Sequence, residues 1–143
     1  ITSVERNAPD AKLDGILIES MINNAILELM VNLRRDSQFG FVLTVASGGV
    51  MTEIYKDAST VLVPADDISL MAALESLHIA PLFNGFRGGP AASRTAVLDQ
   101  INCLVRLMEG TPDIIEIEIN PMMVGTDYAC CADALISISG TAA

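Results

Sequence analysis

Between Ala25 and Arg35 apolar and polar side chains alternate without a slip. Leu27, Leu29, Val31 and Leu33 fall on one side of an extended chain, and Glu28, Met30, Asn32 and Arg34 on the other. Successive strand side chains point to opposite faces, so this is the pattern of a half-buried strand with one face on a core and one in water. Gly15 to Met21, just upstream, is a short apolar run of the kind found in buried strands. The Asn23-Asn24 pair between the two runs is a turn signal, which predicts a hairpin. Asp36 to Gly40 is a second turn, followed by a strand from Phe41 to Ala46 that ends in Ser47-Gly48-Gly49. Met51 to Tyr55 and Thr60 to Val63 complete an antiparallel series before Pro64.

The period then lengthens. Ile68, Met71, Leu74 and Leu77 recur at helical spacing behind Asp66 and Asp67, which stand where an N-cap belongs. Glycines and prolines make Leu82 to Pro90 a loop. Ser93 is placed to cap a second helix whose stripe is Val97, Ile101, Leu104, Val105 and Met108, stopped by Gly110 and Pro112. Alternation returns at Ile115 to Asn120: Glu116, Glu118 and Asn120 share one face and Ile115, Ile117 and Ile119 the other. A last strand, Ala129 to Ile138, follows the turn residues Gly125 to Tyr128. The expected fold is α+β, an antiparallel sheet covered on one side by two main helices, and residues 1–143 read as a single domain.

Composition narrows the function. The 143 residues are enough for one core, and 51% of them are apolar. A net charge of −10 with only eight Lys and Arg speaks against nucleic acid, whose phosphates need clustered cations. With no run of 18 apolar residues and no signal-peptide pattern, no membrane association is expected and the cytoplasm is the simplest location. Three cysteines, two of them adjacent, fit neither a disulfide framework nor a zinc site. A start at Ile1 and a mean hydropathy of +0.47 are what a piece of a longer chain would give.

The candidate chemistry is concentrated near the end of the chain. If the last hairpin is centred between Thr126 and Asp127, Asn120 sits opposite Asp133. Directly opposed side chains have Cβ atoms about 4.5 to 5.5 Å apart, close enough to share a hard cation. Asp133 is the one charge in an otherwise uncharged strand, and burying it unpaired would be costly. Glu118 and Asn120 are equally compatible with a solvated strand edge. Gly48-Gly49 is either a plain turn or a place where backbone N–H groups approach a phosphate. Glu28 and Arg34 are in position for a ribose and a phosphate, or belong to a mixed-charge exposed face. Arg87, in a glycine-rich loop, has the fork geometry for phosphate or carboxylate, or is a surface arginine. His78, the only histidine, follows a helix with no catalytic motif around it and reads as structural.

Taken in order, Gly15 to Met21, Glu28 to Val31, Arg35 to Gly40, Gly48-Gly49 with Glu53 and Lys56-Asp57, Gly85 to Gly88, and Glu118 to Pro121 with Asp133 form a series. It resembles the C-terminal half of the ATP-grasp domain of NDP-forming acyl-CoA synthetases, relatives of the succinyl-CoA synthetase β subunit. That resemblance implies a ligase joining a carboxylic acid to CoA while ATP is cleaved to ADP and phosphate, through an acyl phosphate and a phosphohistidine, with Mg2+. It implies that Asn120 and Asp133 are metal ligands with Glu118 the neighbouring acidic position. By the same token Glu19, Ser20 and Met21 line the adenine, Glu28 stands near the ribose, and Gly48, Gly49 and the following Glu53 face the phosphates; Arg87 is taken with Glu53 as a catalytic candidate. The N-terminal ATP-grasp subdomain and CoA-binding domains, in the same or a partner chain, are the implied partners. The family's phosphohistidine loop and N-terminal lysine lie upstream of these residues, and His78 does not match that histidine. The sequence departs from the family at Ala46-Ser47-Gly48-Gly49, where relatives often carry leucine before the glycines, and in the stretch Gly88-Gly89-Pro90, which has glycine where an arginine is common. The competing expectation is a non-catalytic nucleotide-sensing or docking module.

Overall fold

The alternating run becomes the middle strand of a six-stranded sheet. A computed structural model describes residues 6–8, 10, 12, 15–49 and 57–140. β1 (Leu27–Asp36), β2 (Gly40–Ser47) and β3 (Ala58–Val63) form an antiparallel meander. The tight turn between β1 and β2 is held by the Asp36 carboxylate, which accepts the amides of Gln38 and Phe39 at 2.9 and 3.1 Å. The chain then crosses through α1 (Asp67–Glu75), a short 3-10 helix (Ala80–Asn84) and α2 (Arg94–Gly110). It re-enters the sheet as β4 (Ile114–Val124), antiparallel on the other side of β1. β5 (Ala129–Cys131) and β6 (Ala134–Ile138) pair in succession along the outer edge of β4.

Both helices lie on one face. Leu29, Val31 and Leu33 of β1, Leu43 and Val45 of β2, and Ile117, Ile119, Met122 and Val124 of β4 are buried there. They form one cluster with Leu70 and Leu74 of α1 and Val97, Ile101 and Met108 of α2. Asp66 caps α1 through Ser69 N–H, as the sequence predicts, and Ser93 caps α2 through Ala96 N–H at 3.2 Å. The Ser93 amide also donates to the Gly125 carbonyl at 2.8 Å, fastening the start of α2 to the turn after β4. Among the described residues α1 and α2 pack on this face of the sheet and not on the opposite one.

Four details differ from the sequence reading. Gly15 to Met21 has no regular structure, and Ile18 is 88% exposed. β1 already has β2 and β4 on its two edges, so no edge remains for a hairpin partner. Ile115 is 42% exposed rather than core, because the pairing of β4 with β6 shifts register between Ile114 and Glu116. The final strand is two strands, broken at Ala132 and Asp133. Finally, Leu82 to Asn84 belong to the 3-10 helix, which has proline in its first turn, so the irregular loop starts only at Gly85. The expected strand Met51 to Tyr55, with Glu53, lies outside the described residues.

Candidate functional site

The uncovered face is shaped most at the end where β1 begins and β2 and β4 finish. Gly48 N–H donates to the Glu28 carbonyl at 2.8 Å. A Cβ on Gly48 would lie 2.8 Å from the Glu28 carbonyl carbon and 2.9 Å from Leu29 N, so only glycine lets the chain pass this close to β1. Gly49 follows at φ 85°, and a Cβ there would come within 2.9 Å of Glu28 Oε2. The Glu28 carboxylate is thereby set against the glycine pair. Glu28, Gly49, Asn120 and Pro121 line one hollow of about 480 Å³.

A second hollow of about 450 Å³ lies beside it. Glu19, Ser20 and Met21 form one side, and Met123 and Cys130 belong to the other. Met123 pairs in register with Glu28 of β1 and with Cys130 of β5, so one row of the sheet joins the two hollows into a trough. The segment expected to be a strand therefore serves as a wall of this trough instead.

Asn120 and Asp133 meet as the hairpin centre requires. Met123 opposite Cys130 and Ile119 opposite Ala134 keep one register through the break in the outer strand. Asn120 N–H donates to the Asp133 carbonyl at 3.2 Å, and Ala132 N–H to the Pro121 carbonyl at 3.0 Å. On the other side of β4, Asn120 and Pro121 together occupy the space opposite Met30, a bulge between the pairs Leu29–Met122 and Val31–Ile119. Bulge and strand break thus coincide at the two polar residues. Asp133 is exposed, with Oδ1 accepting from Ala134 N–H at 2.8 Å. The cost of a buried unpaired charge does not apply to it; its claim as a ligand rests on placement opposite Asn120.

Glu118 is half-buried and pairs with Asn32 and Leu135; neither it nor Asp133 lines the first hollow. Its neighbour on that face, Glu116, accepts from Asn32 Nδ2 at 2.8 Å. Arg87, at φ 52°, lies in the loop before α2 with its guanidinium 5.3 Å from the Phe86 ring centre, and lines neither hollow. Among the described residues no three His, Cys, Asp or Glu side chains cluster to hold a metal by themselves. The Asn120 amide and Asp133 carboxylate are a partial set of hard oxygen donors, which suits Mg2+ bound jointly by protein and phosphate oxygens.

One residue went unweighed in the sequence beyond its place in the Lys56-Asp57 pair. Asp57 is buried and accepts the Ser47 hydroxyl, the His78 amide at 2.9 and 3.0 Å, and faces His78 Nδ1 at 3.3 Å. Burial is the largest effect on its carboxyl and works to raise its pKa. The Ser47 hydroxyl, the His78 and Ile79 amides and the imidazole together outweigh it and hold the group below the usual carboxylate range. What His78 gives Asp57 is chiefly its backbone amide, for its imidazole is 84% exposed. The only available signal for Asp57 was an acidic residue closing the loop that Ser47 opens.

The sheet is thus backed by helices on one face, and Glu28, Gly49 and Asn120 come together from three separate segments around one hollow. Residues 1–138 match the ATP-grasp domain, and the chain belongs to that family. It is similar to a trans-feruloyl-CoA synthase from an unknown prokaryotic organism, 35% identical over 85% of this chain and 17% of that protein. It is 32% identical to the beta subunit of an ADP-forming acetate–CoA ligase I of Pyrococcus furiosus, over 88% of this chain and 54% of the subunit. Among solved structures it resembles the dinucleotide forming acetyl-coenzyme A synthetase 1 of Ca. Korarchaeum cryptofilum in complex with coenzyme A, Ca-AMPCP and HgCl+. The TM-score is 0.83 at 28% identity, covering 96% of this chain and 60% of that one. The chain thus spans between about a sixth and three fifths of the proteins it matches.

Proposed function

We propose that this chain is the C-terminal subdomain of the ATP-grasp domain of an ADP-forming acid–CoA ligase, and that it forms the Mg-nucleotide wall of the active site. The observation that carries the reading is the gathering of Glu28, Gly49 and Asn120 around one hollow, with Met123, the cross-strand partner of Glu28, lining a second hollow beside Glu19 to Met21. These residues come from separate segments of the sequence, and the family resemblance assigns all of them to one ligand.

In this reading the base lies between the Glu19–Met21 segment and Met123, whose polarizable thioether suits an aromatic ring. The Glu28 carboxylate accepts hydrogen bonds from the ribose hydroxyls. Gly48, its N–H taken by the Glu28 carbonyl, lets the chain pass close to β1, and the turn at Gly49 brings the backbone up to the phosphates. Asn120 and Asp133 hold the metal, with Glu118 as the acidic neighbour behind them. Bound Mg2+ supplies neutralisation of phosphate charge during transfer. Glu53 and Arg87 are the catalytic candidates that the family resemblance adds. The N-terminal subdomain and CoA-binding domains complete the site, and the carboxylic acid and CoA bind there.

The test is calorimetric titration of the full-length protein with Mg-ATP. Asn120→Ala and Asp133→Ala are each expected to weaken binding by at least roughly tenfold, the scale of losing one charge-assisted contact, and to abolish thioester formation. Wild-type affinity in both variants would refute the metal assignment. Nucleotide should also protect Cys130, exposed in the base hollow, from alkylation; unprotected Cys130 in a protein saturated with ATP would move the base elsewhere.

A further inference from the structure

Ser47 and Asp57 are the only buried polar or charged side chains among the described residues, 7% and 8% exposed, and they are bonded to each other. They stand on either side of the segment that begins at Gly48. Ser47 N–H donates to the Asp57 carbonyl at 3.0 Å, and the Ser47 hydroxyl donates to the Asp57 carboxylate. The same carboxylate takes the His78 amide, 21 residues away, so it joins the end of β2, the start of β3 and the segment after α1. The backbone bond alone would hold the end of β2 beside the start of β3. A buried carboxylate is an expensive addition unless its direction matters, because well-packed apolar side chains would serve closure equally well.

We infer that Asp57 is a positioning residue for nucleotide binding: through the Ser47 hydroxyl and the His78 amide it fixes, from behind the sheet, the direction in which Gly48 and Gly49 present their backbone. On the opposite side the loop is fixed by the Gly48–Glu28 bond, so the glycine pair is held between two anchors. The inference rests on the proposed reading of that pair as the phosphate-facing loop. It adds a residue that touches no ligand and acts through Ser47 and the His78 amide.

The experiment uses the full-length protein, with urea midpoints, the Kd for Mg-ATP, and the KM values for ATP and CoA. Asp57→Asn and Ser47→Ala are each expected to raise Kd and KM for ATP by roughly tenfold, the scale of one charged hydrogen bond, with KM for CoA unchanged. Their combination should be no worse than the more severe single change, since both break one link. Ser47→Thr, which keeps the hydroxyl, should restore ATP binding. Should Asp57→Asn fail to fold, Ser47→Ala and its threonine rescue carry the test. Variants that shift only the urea midpoint, or move both KM values together, would overturn the positioning role while wild-type ATP binding stands. A wild-type protein that does not bind Mg-ATP would overturn this inference together with the nucleotide reading.

Discussion

At Gly48 the atoms a methyl group would strike are backbone atoms of Glu28 and Leu29, which cannot rotate away. Gly48→Ala is therefore expected to cost about 1–3 kcal/mol, the range for overpacking a close contact, read as a lowered urea midpoint. Gly110→Ala is the control: a Cβ there meets nothing within 4 Å, and its stability should be unchanged or slightly raised. Asp57 sets a pH limit as well. Its folded pKa lies below its ordinary value, so the stability it contributes is complete above about pH 4 and is lost as pH falls through the folded value. Acid titration of the urea midpoint should fall less steeply in Asp57→Asn than in the wild type; parallel curves would remove Asp57 from the acid response. At this scale the sequence was legible where spacing carried the information. Asn120 and Asp133 could be placed opposite each other from a turn centre alone, whereas the burial of Asp57 depends on a contact with His78 that no local pattern encodes.

Elements were read well where period and cap agreed. β1 and α2 follow their apolar stripes, and Ser93 caps as its type suggests. Ser93→Ala should cost about 1 kcal/mol, and Met108→Ala, at a fully buried site of the α2 stripe, about 2–5 kcal/mol, both by urea unfolding. Equal effects would mean that α2 is not held by its core face. Gly15 to Met21 shows the limit of such reading. An apolar run states that a segment prefers cover, not which surface covers it, and both edges of β1 were already taken. The break at Ala132 and Asp133 was hidden for a related reason: strand alternation is uninformative where small residues surround a single charge. The bulge at Asn120 and Pro121 moves the buried phase of β4 from Ile117 and Ile119 to Met122 and Val124. It keeps Asn120 out of the core and available at the trough.

As a whole the described part of the molecule is a six-stranded sheet with one face packed on a core that it shares with two helices. No helix among the described residues is long and apolar enough to cross a membrane. The chain carries a net charge of −10, and Glu19 and Glu28 each line one of the two hollows. Such a surface repels a bare triphosphate and accepts one whose charge a divalent cation has offset. Chelation of divalent metal should accordingly weaken ATP binding in the wild type far more than in Asp133→Ala; equal losses would separate the metal from Asp133. The most direct measurement incubates the full-length protein with Mg-ATP, CoA and a panel of short-chain, dicarboxylic and aromatic acids, with the thioester and nucleotide products identified by mass spectrometry. The account predicts an acyl-CoA formed together with ADP, and its loss in Asn120→Ala. AMP as the product would contradict it, and nucleotide binding without any thioester would mark a nucleotide-sensing module in place of a ligase.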